Sequence, residues 1–145
     1  MKERIMADTT SATTTILSIA SSGLKAQQQR MRIIAENIAN ADSTAKGANG
    51  DPYRRKAVVF EPTSVEGGGQ GVHVAQVLAD QTPFKQDYDP GNPSADKSGY
   101  VKLPNVEPLV EALDMKEAQR AYEANLNVID AARSMEMRTL DLLKQ

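Results

Sequence analysis

The sequence predicts a mainly α fold in which long N- and C-terminal helices pair as an antiparallel coiled coil and carry a small, central β-rich domain between them. Three observations lead there. Both ends repeat apolar or small residues at heptad spacing. Eight of the nine glycines and six of the seven prolines fall in residues 42–104, where apolar and polar residues alternate instead. Two Phe, four Tyr and no Trp are too few for a large aromatic-filled core, which leaves helix-on-helix packing of Ala, Val, Ile, Leu and Met.

The C-terminal helix is expected over 105–145. From Val106 onward there is no glycine, and Pro108 falls in the first turn, where its missing N–H costs little. Asn105 reads as the N-cap, Glu107 and Glu111 sit near the positive end of the helix dipole, and Lys144 suits the other end. Ala121, Val128, Met135 and Leu142 form one heptad row, Ala118, Asn125, Ala132 and Thr139 a second, and Tyr122, Ile129 and Leu143 widen the stripe.

The N-terminal helix is expected over 10–41, after a frayed, flexible lead-in at 1–9. Its rows are Leu17, Leu24, Met31 and Ile38, and Ala20, Gln27, Ile34 and Ala41. Thirty such residues make a rod of about 45 Å. Gly23 should cost about 1 kcal/mol relative to Ala, so either a close helix–helix approach or a kink must account for it. The β-branched run Thr13–Ile16 lowers intrinsic helicity, and this arm should need a partner to be fully ordered.

Between the helices, the polar segment 42–51 ends the first one, and strands are predicted over 53–60 and 72–78, with a third extended segment at 83–88 and a short strand at 99–103. Gly67, Gly68 and Gly69 read as a hairpin turn or a flexible loop. Residues 10–41 carry a net +2 and residues 106–145 a net −3, which favours pairing of the two helices. Opposing Gln27 to Asn125 lets the two amides that interrupt the seams satisfy each other and gives one register; the alternative is that one or both amides face a neighbouring subunit or the lumen. A two-helix hairpin covers only one seam of each helix, so the remaining apolar width predicts contacts with other subunits. The residues expected to form this assembly interface are Leu17, Leu24, Gln27, Met31, Ile34, Ile38, Ala121, Tyr122, Asn125, Val128, Ile129, Met135 and Leu142.

A net charge of −2 gives no reason to expect nucleic acid or an anionic membrane as a partner. Arg54-Arg55-Lys56, the only basic run, reads as solvated residues at a strand edge. The absence of cysteine removes disulfides, thiol catalysis and thiolate metal sites. Residues 1–20 lack the apolar core of a cleaved leader, and no stretch approaches a membrane span or suggests direct membrane insertion.

Signs of chemistry are weak. Asp87-Tyr88-Asp89 suggests a calcium loop, but the glycine and bidentate glutamate required downstream are Asn92 and Ser98. The Gly67–Gly71 cluster precedes a strand, so it has no helix N-terminus with which to cradle phosphate. His73 stands alone on a strand, and the acids form no pocket motif. No cofactor, metal or catalytic residue is assigned.

Four stretches carry a resemblance. AQQQRMRIIAENIANADS (26–43), PYRRKAVVFEP (52–62), YDPGNPSADKSGYVKLPNV (88–106) and AQRAYEANLNVIDAARSMEMRTLDLLK (118–144) are similar to the bacterial flagellar basal-body rod protein family. The first and last are common to its axial proteins, and the third is more diagnostic of a proximal-rod member. The resemblance implies a non-enzymatic subunit of the rod that spans the periplasm. Such a subunit polymerises through its terminal helices to form part of the torque-transmitting drive shaft and export channel, and leaves the cell by the flagellar type III export apparatus. Implied partners are further copies of itself, the rod subunits FlgB and FlgF, and the adaptor FliE. Another axial rod subunit such as FlgB is the alternative, and a small metal- or carboxylate-dependent hydrolase a remote one.

Overall fold

The computed structural model describes residues 2–45, 47 and 50–143. Its elements run α1 (Lys2–Ala39), β1 (Lys56–Ser64), β2 (Gln70–Ala79), β3 (Lys85–Tyr88), β4 (Tyr100–Leu103) and α2 (Pro108–Leu143). The expected order of long helix, small β insert and long helix is therefore present.

Two helix starts differ from expectation. α1 begins at Lys2, so the lead-in expected over 1–9 is helical backbone from that point, consistent with the helix-forming sequence of residues 2–7. α2 begins at Pro108, and the first intrahelical bond runs from Glu111 N–H to the carbonyl of Glu107, which makes Glu107 the cap residue. Asn105 is not the cap because its amide is engaged elsewhere: Oδ1 accepts from Arg55 N–H at 2.8 Å, and Nδ2 donates to the Asp80 and Thr82 carbonyls. Lys144 lies outside the described residues.

The chain divides into two compact units, each drawing on both helices and on the β insert. The first comprises Met1–Gln29, Phe60–Ala75 and Ala118–Gln145. Its core is built from small residues: Ala20, Ala26, Ala118 and Ala132 are buried, as is Thr13. Small side chains let backbones approach closely, and Gly23 shows this directly. A Cβ there would lie 2.9 Å from the side-chain amide of Asn125, so close approach, not a kink, explains this glycine. It also corrects the expected register. Asn125 stands against Gly23, its Nδ2 donates to the Ala121 carbonyl, and Gln27 Oε1 is buried without a hydrogen-bond partner among the described residues.

β1 and β2 form a two-stranded hairpin closed by a hydrogen bond from Val65 N–H to the Gly69 carbonyl. Gly67 and Gly68 turn the chain with φ of 91° and 84°. Of the two expectations for these glycines, the hairpin is the one present, and its tip is held against α1. Thr15 Oγ1 donates to the Gly67 carbonyl at 3.1 Å, and Val72 N–H donates to Ser22 Oγ at 3.0 Å. A Cβ at Gly69 would lie 2.8 Å from Ile19 Cδ1, and one at Gly71 would collide with Ser22. Thr15, Ile19 and Ser22 are one helical face at i, i+4 and i+7, and the glycine-rich tip is clipped along it.

The second unit comprises Arg30–Val59 and Gln76–Glu117. Here β3 and β4 pair antiparallel, with Lys85 opposite Leu103 and Tyr88 opposite Tyr100. The two tyrosine rings meet edge to face, 5.3 Å between centroids. Polar side chains of the loop between β3 and β4 serve their own backbone: Asp96 Oδ1 accepts from the N–H groups of Ser98 and Tyr100, and Asn92 Oδ1 from Ser94 N–H. Ile34, Ala41, Val101, Pro104 and Val106 supply the buried apolar surface.

The Gly23–Asn125 contact makes a quantitative prediction. A helical Gly→Ala change is ordinarily worth about 1 kcal/mol, but here the new methyl meets an amide. Gly23→Ala should therefore fail to stabilise the native chain, whereas in an Asn125→Ala background it should stabilise by about 1 kcal/mol. Urea unfolding of the four chains in this double-mutant cycle measures the difference.

Candidate assembly surfaces and the Glu111 anchor

The expected interface residues separate into two groups. On α1, Ile34 is buried, Leu17, Leu24, Gln27 and Met31 are half-buried, and Ile38 is exposed. On α2, the row of small residues is the covered one: Ala118 and Ala132 are fully buried and Asn125 and Thr139 half-buried. Ala121, Tyr122 and Ile129 are also half-buried. The row of larger residues is open, with Val128, Met135 and Leu142 exposed by 45, 54 and 75%. Both rows have the same period, so periodicity alone did not distinguish the covered row from the open one.

Sequence reasoning missed a second set of residues. Glu111 lies seven positions before Ala118, on the covered row, and its side chain is entirely buried. A buried carboxylate must be paired and hydrogen-bonded to remain charged. Arg55 Nε donates to Oε1 at 2.5 Å and Asn37 Nδ2 to Oε2 at 3.0 Å. Asn37 is itself fully used. Its amide donates to the Lys56 carbonyl at 2.8 Å and accepts from Lys56 N–H at 3.0 Å, so it pairs with the start of β1 as a neighbouring strand would. The Tyr53 hydroxyl donates to Asn37 Oδ1 at 2.8 Å. Arg55 also reaches Asp80 at 3.6 Å and Asp114 at 3.5 Å, and Arg30 pairs with Glu117 at 3.5 Å.

The basic run Arg54-Arg55-Lys56 is thus not a solvated strand edge. Arg54 stacks over the Phe84 ring at 4.1 Å and donates to the Asp80 and Thr82 carbonyls, while Lys56 Nζ pairs with Glu36 at 2.6 Å. A visible signal was a charged residue on an otherwise small-residue row. Nothing local identified its partners, which lie 56 and 74 positions away.

Titration follows this geometry. Burial, then the Glu36 and Glu111 carboxylates, pushes the Tyr53 hydroxyl up to about 12. Burial disfavours the Arg55 guanidinium, but the hydrogen bond and charge of Glu111, with Asp80 and Asp114, outweigh it and hold Arg55 charged. Asp80 is lowered by hydrogen bonds from the Thr82 backbone and side chain and by Arg55. These groups anchor a strand to two helix ends. Among the described residues no cluster of His, Cys, Asp and Glu could hold a metal, and no helix is long and apolar enough to cross a membrane.

Two family models match the chain: the flagella basal body rod protein family over residues 17–45 and the flagellar basal body rod FlgEFG protein C-terminal family over residues 97–142. Proteins named flagellar basal-body rod protein FlgC are similar over nearly its whole length. That of Agrobacterium fabrum is 50% identical over 127 residues, covering 87% of this chain and 91% of the relative. The chain belongs to the FlgC family of flagellar basal-body rod proteins. The FlgC of Escherichia coli O6:H1 is 47% identical over 88% of this chain and 95% of its own, and that of Bacillus subtilis 38% over 88% and 96%. A FlgC-family chain is a structural subunit of the basal-body rod, and these relatives do not favour the FlgB or hydrolase alternatives. In this FlgC-family chain the two matched segments contain Asn37 and Glu111, the two helix residues of the anchor.

Removing the carboxylate takes from Arg55 its shortest ion pair and leaves one Asn37 N–H without its buried acceptor. Glu111→Ala should cost about 3 kcal/mol in urea unfolding; a loss under 1 kcal/mol would remove the anchor from the account. Because the Tyr53 pKa is raised on folding, the folded chain keeps a proton that the unfolded chain releases near pH 10. Stability should therefore be full below pH about 10 and fall as pH rises toward about 12. Tyr53→Phe should flatten that alkaline limb in pH-dependent unfolding.

Proposed function

We propose that this chain is a proximal-rod subunit that polymerises through its terminal helices, with α1 and α2 paired as an antiparallel coiled coil. Residues 10–41 and 105–145 together serve as the axial helical domain and residues 42–104 as the β insert beside it. The observation that carries the reading is the open row Val128, Met135 and Leu142 beside a covered row of small residues on one helix. Burying such side chains is worth about 1.5–3 kcal/mol each, and a neighbouring subunit is the natural source of cover. Antiparallel pairing is supported within one unit by Arg30 meeting Glu117 and Asn37 meeting Glu111, so α1 positions rise as α2 positions fall. In the other unit, taken by itself, α1 and α2 approach closely at Gly23 and Asn125.

Assembled in this way, the subunit transmits torque as part of the drive shaft and lines the export channel through the periplasm. It reaches the rod through the flagellar type III export apparatus, and its neighbours are copies of itself, FlgB, FlgF and the adaptor FliE. The relatives' name, basal-body rod protein, supports association with rod and basal-body components.

A doubly substituted chain, Val128→Asp with Met135→Asp, tests the reading. Both side chains are exposed, so the isolated chain should keep its unfolding free energy in urea to within about 0.5 kcal/mol. Self-association in sedimentation and incorporation into rods in motile cells should both be lost. A substituted chain that assembles and supports motility normally would refute the reading.

A further inference from the structure

In the unit that holds the hairpin tip, α1 and the β1–β2 hairpin enclose a groove of about 850 Å³. Leu17, Val65 and Val72 give it half-buried apolar walls, and Lys25, Glu66 and His73 are its exposed charged or titratable residues. The glycine clip on Thr15, Ile19 and Ser22 holds the hairpin against α1, so the groove is formed before anything enters it. Its volume is that of a well-formed binding site, about 300–1,000 Å³.

The same unit carries a second open apolar strip on α2. Leu126, Met137 and Leu140 are exposed by 39, 60 and 48%. At 3.6 residues per turn they fall within about 60° of arc. This strip lies on the opposite side of the covered row from Val128, Met135 and Leu142. Arg133 shares the strip, and its outer border is acidic: Glu123, Asp130 and Asp141, all exposed. Groove and strip are thus complementary in polarity and in charge, Lys25 answering the acidic border and Glu66 answering Arg133.

We propose that the groove receives the Leu126–Met137–Leu140 face of α2 from a second copy of this chain. The proposal rests on the reading that the chain self-assembles through its helices, and it names the socket and the plug. The two surfaces are different, so each docking event leaves a free groove at one end and a free strip at the other. Such head-to-tail contacts propagate into an open-ended polymer when the rotation between copies does not close a ring, as a rod requires, whereas a self-complementary contact would close as a dimer. The helix enters by its apolar face, with large side chains as anchors.

The absence of cysteine makes site-directed cross-linking clean. Full-length chains carrying only Ser21→Cys, within the groove, are mixed with differently tagged chains carrying only Met137→Cys and oxidised under assembling conditions. Inter-copy disulfides should exceed those formed with Lys97→Cys, on the β3–β4 loop, by on the order of tenfold, because a disulfide needs Cα atoms within about 7 Å. Lys25→Glu should raise the concentration for half-assembly about threefold, and Asp130→Lys in the same chain should restore it. Assembly without cross-link enrichment or charge rescue would overturn the groove while leaving self-assembly standing. Absence of assembly at every concentration would overturn both.

Discussion

Placing a carboxylate in the interior commits the surrounding chain to neutralising it, and Glu111 imposes that demand on this structure. It is met by Arg55 from the start of the β insert and by Asn37 from the end of α1. Because Asn37 also pairs with both backbone groups of Lys56, the same few atoms tie one helix end to the first strand and to the other helix. A buried ion pair is not intrinsically stabilising compared with a well-packed apolar cluster. Its worth lies in being satisfied in one geometry only. Tyr53, Asp80 and Asp114 complete that geometry, and Asn105 secures the same loop by taking Arg55 N–H.

Away from this anchor the structure depends on smallness. Ala20, Ala26, Ala118 and Ala132 bury little area each, and Gly23 buries only backbone, so the helix contact gains proximity more than hydrophobic free energy. The larger apolar residues of α2 stay outside it. A helix that covers its small row and leaves its large row open is poorly completed as a single chain and well suited to a multi-subunit assembly. The hairpin follows a related logic: three glycines let its tip lie against α1 where any side chain would collide, so glycine here provides close contact as well as the positive φ of the turn.

The sequence showed the helices, the order of elements and the family because heptad period, glycine and proline placement and the GYVKLPNV stretch are local signals. It did not show which heptad row turns inward, since Val128, Met135 and Leu142 fit the period as well as Ala118, Asn125 and Ala132. The amide of Asn105 had a local use as a cap and a distant one as a loop tie, and the distant one prevailed. Gln27 and Asn125 looked like partners because both interrupt a seam, but backbone proximity at Gly23 gave Asn125 a different neighbour. The hairpin clip joins residues about fifty positions apart, beyond the reach of any periodicity.

The chain satisfies its own polar groups around Glu111 and leaves one side of α2 open. Hydrogen exchange on the full chain, first dilute and then under assembling conditions, addresses this most directly. Amides near Asn37 and in the first turns of α2 should be protected at both concentrations, whereas those from Leu126 to Leu142 should be weakly protected when dilute and gain strongly on assembly. Strong protection across Leu126–Leu142 in the dilute chain, or protection near Asn37 that appears only on assembly, would contradict the account.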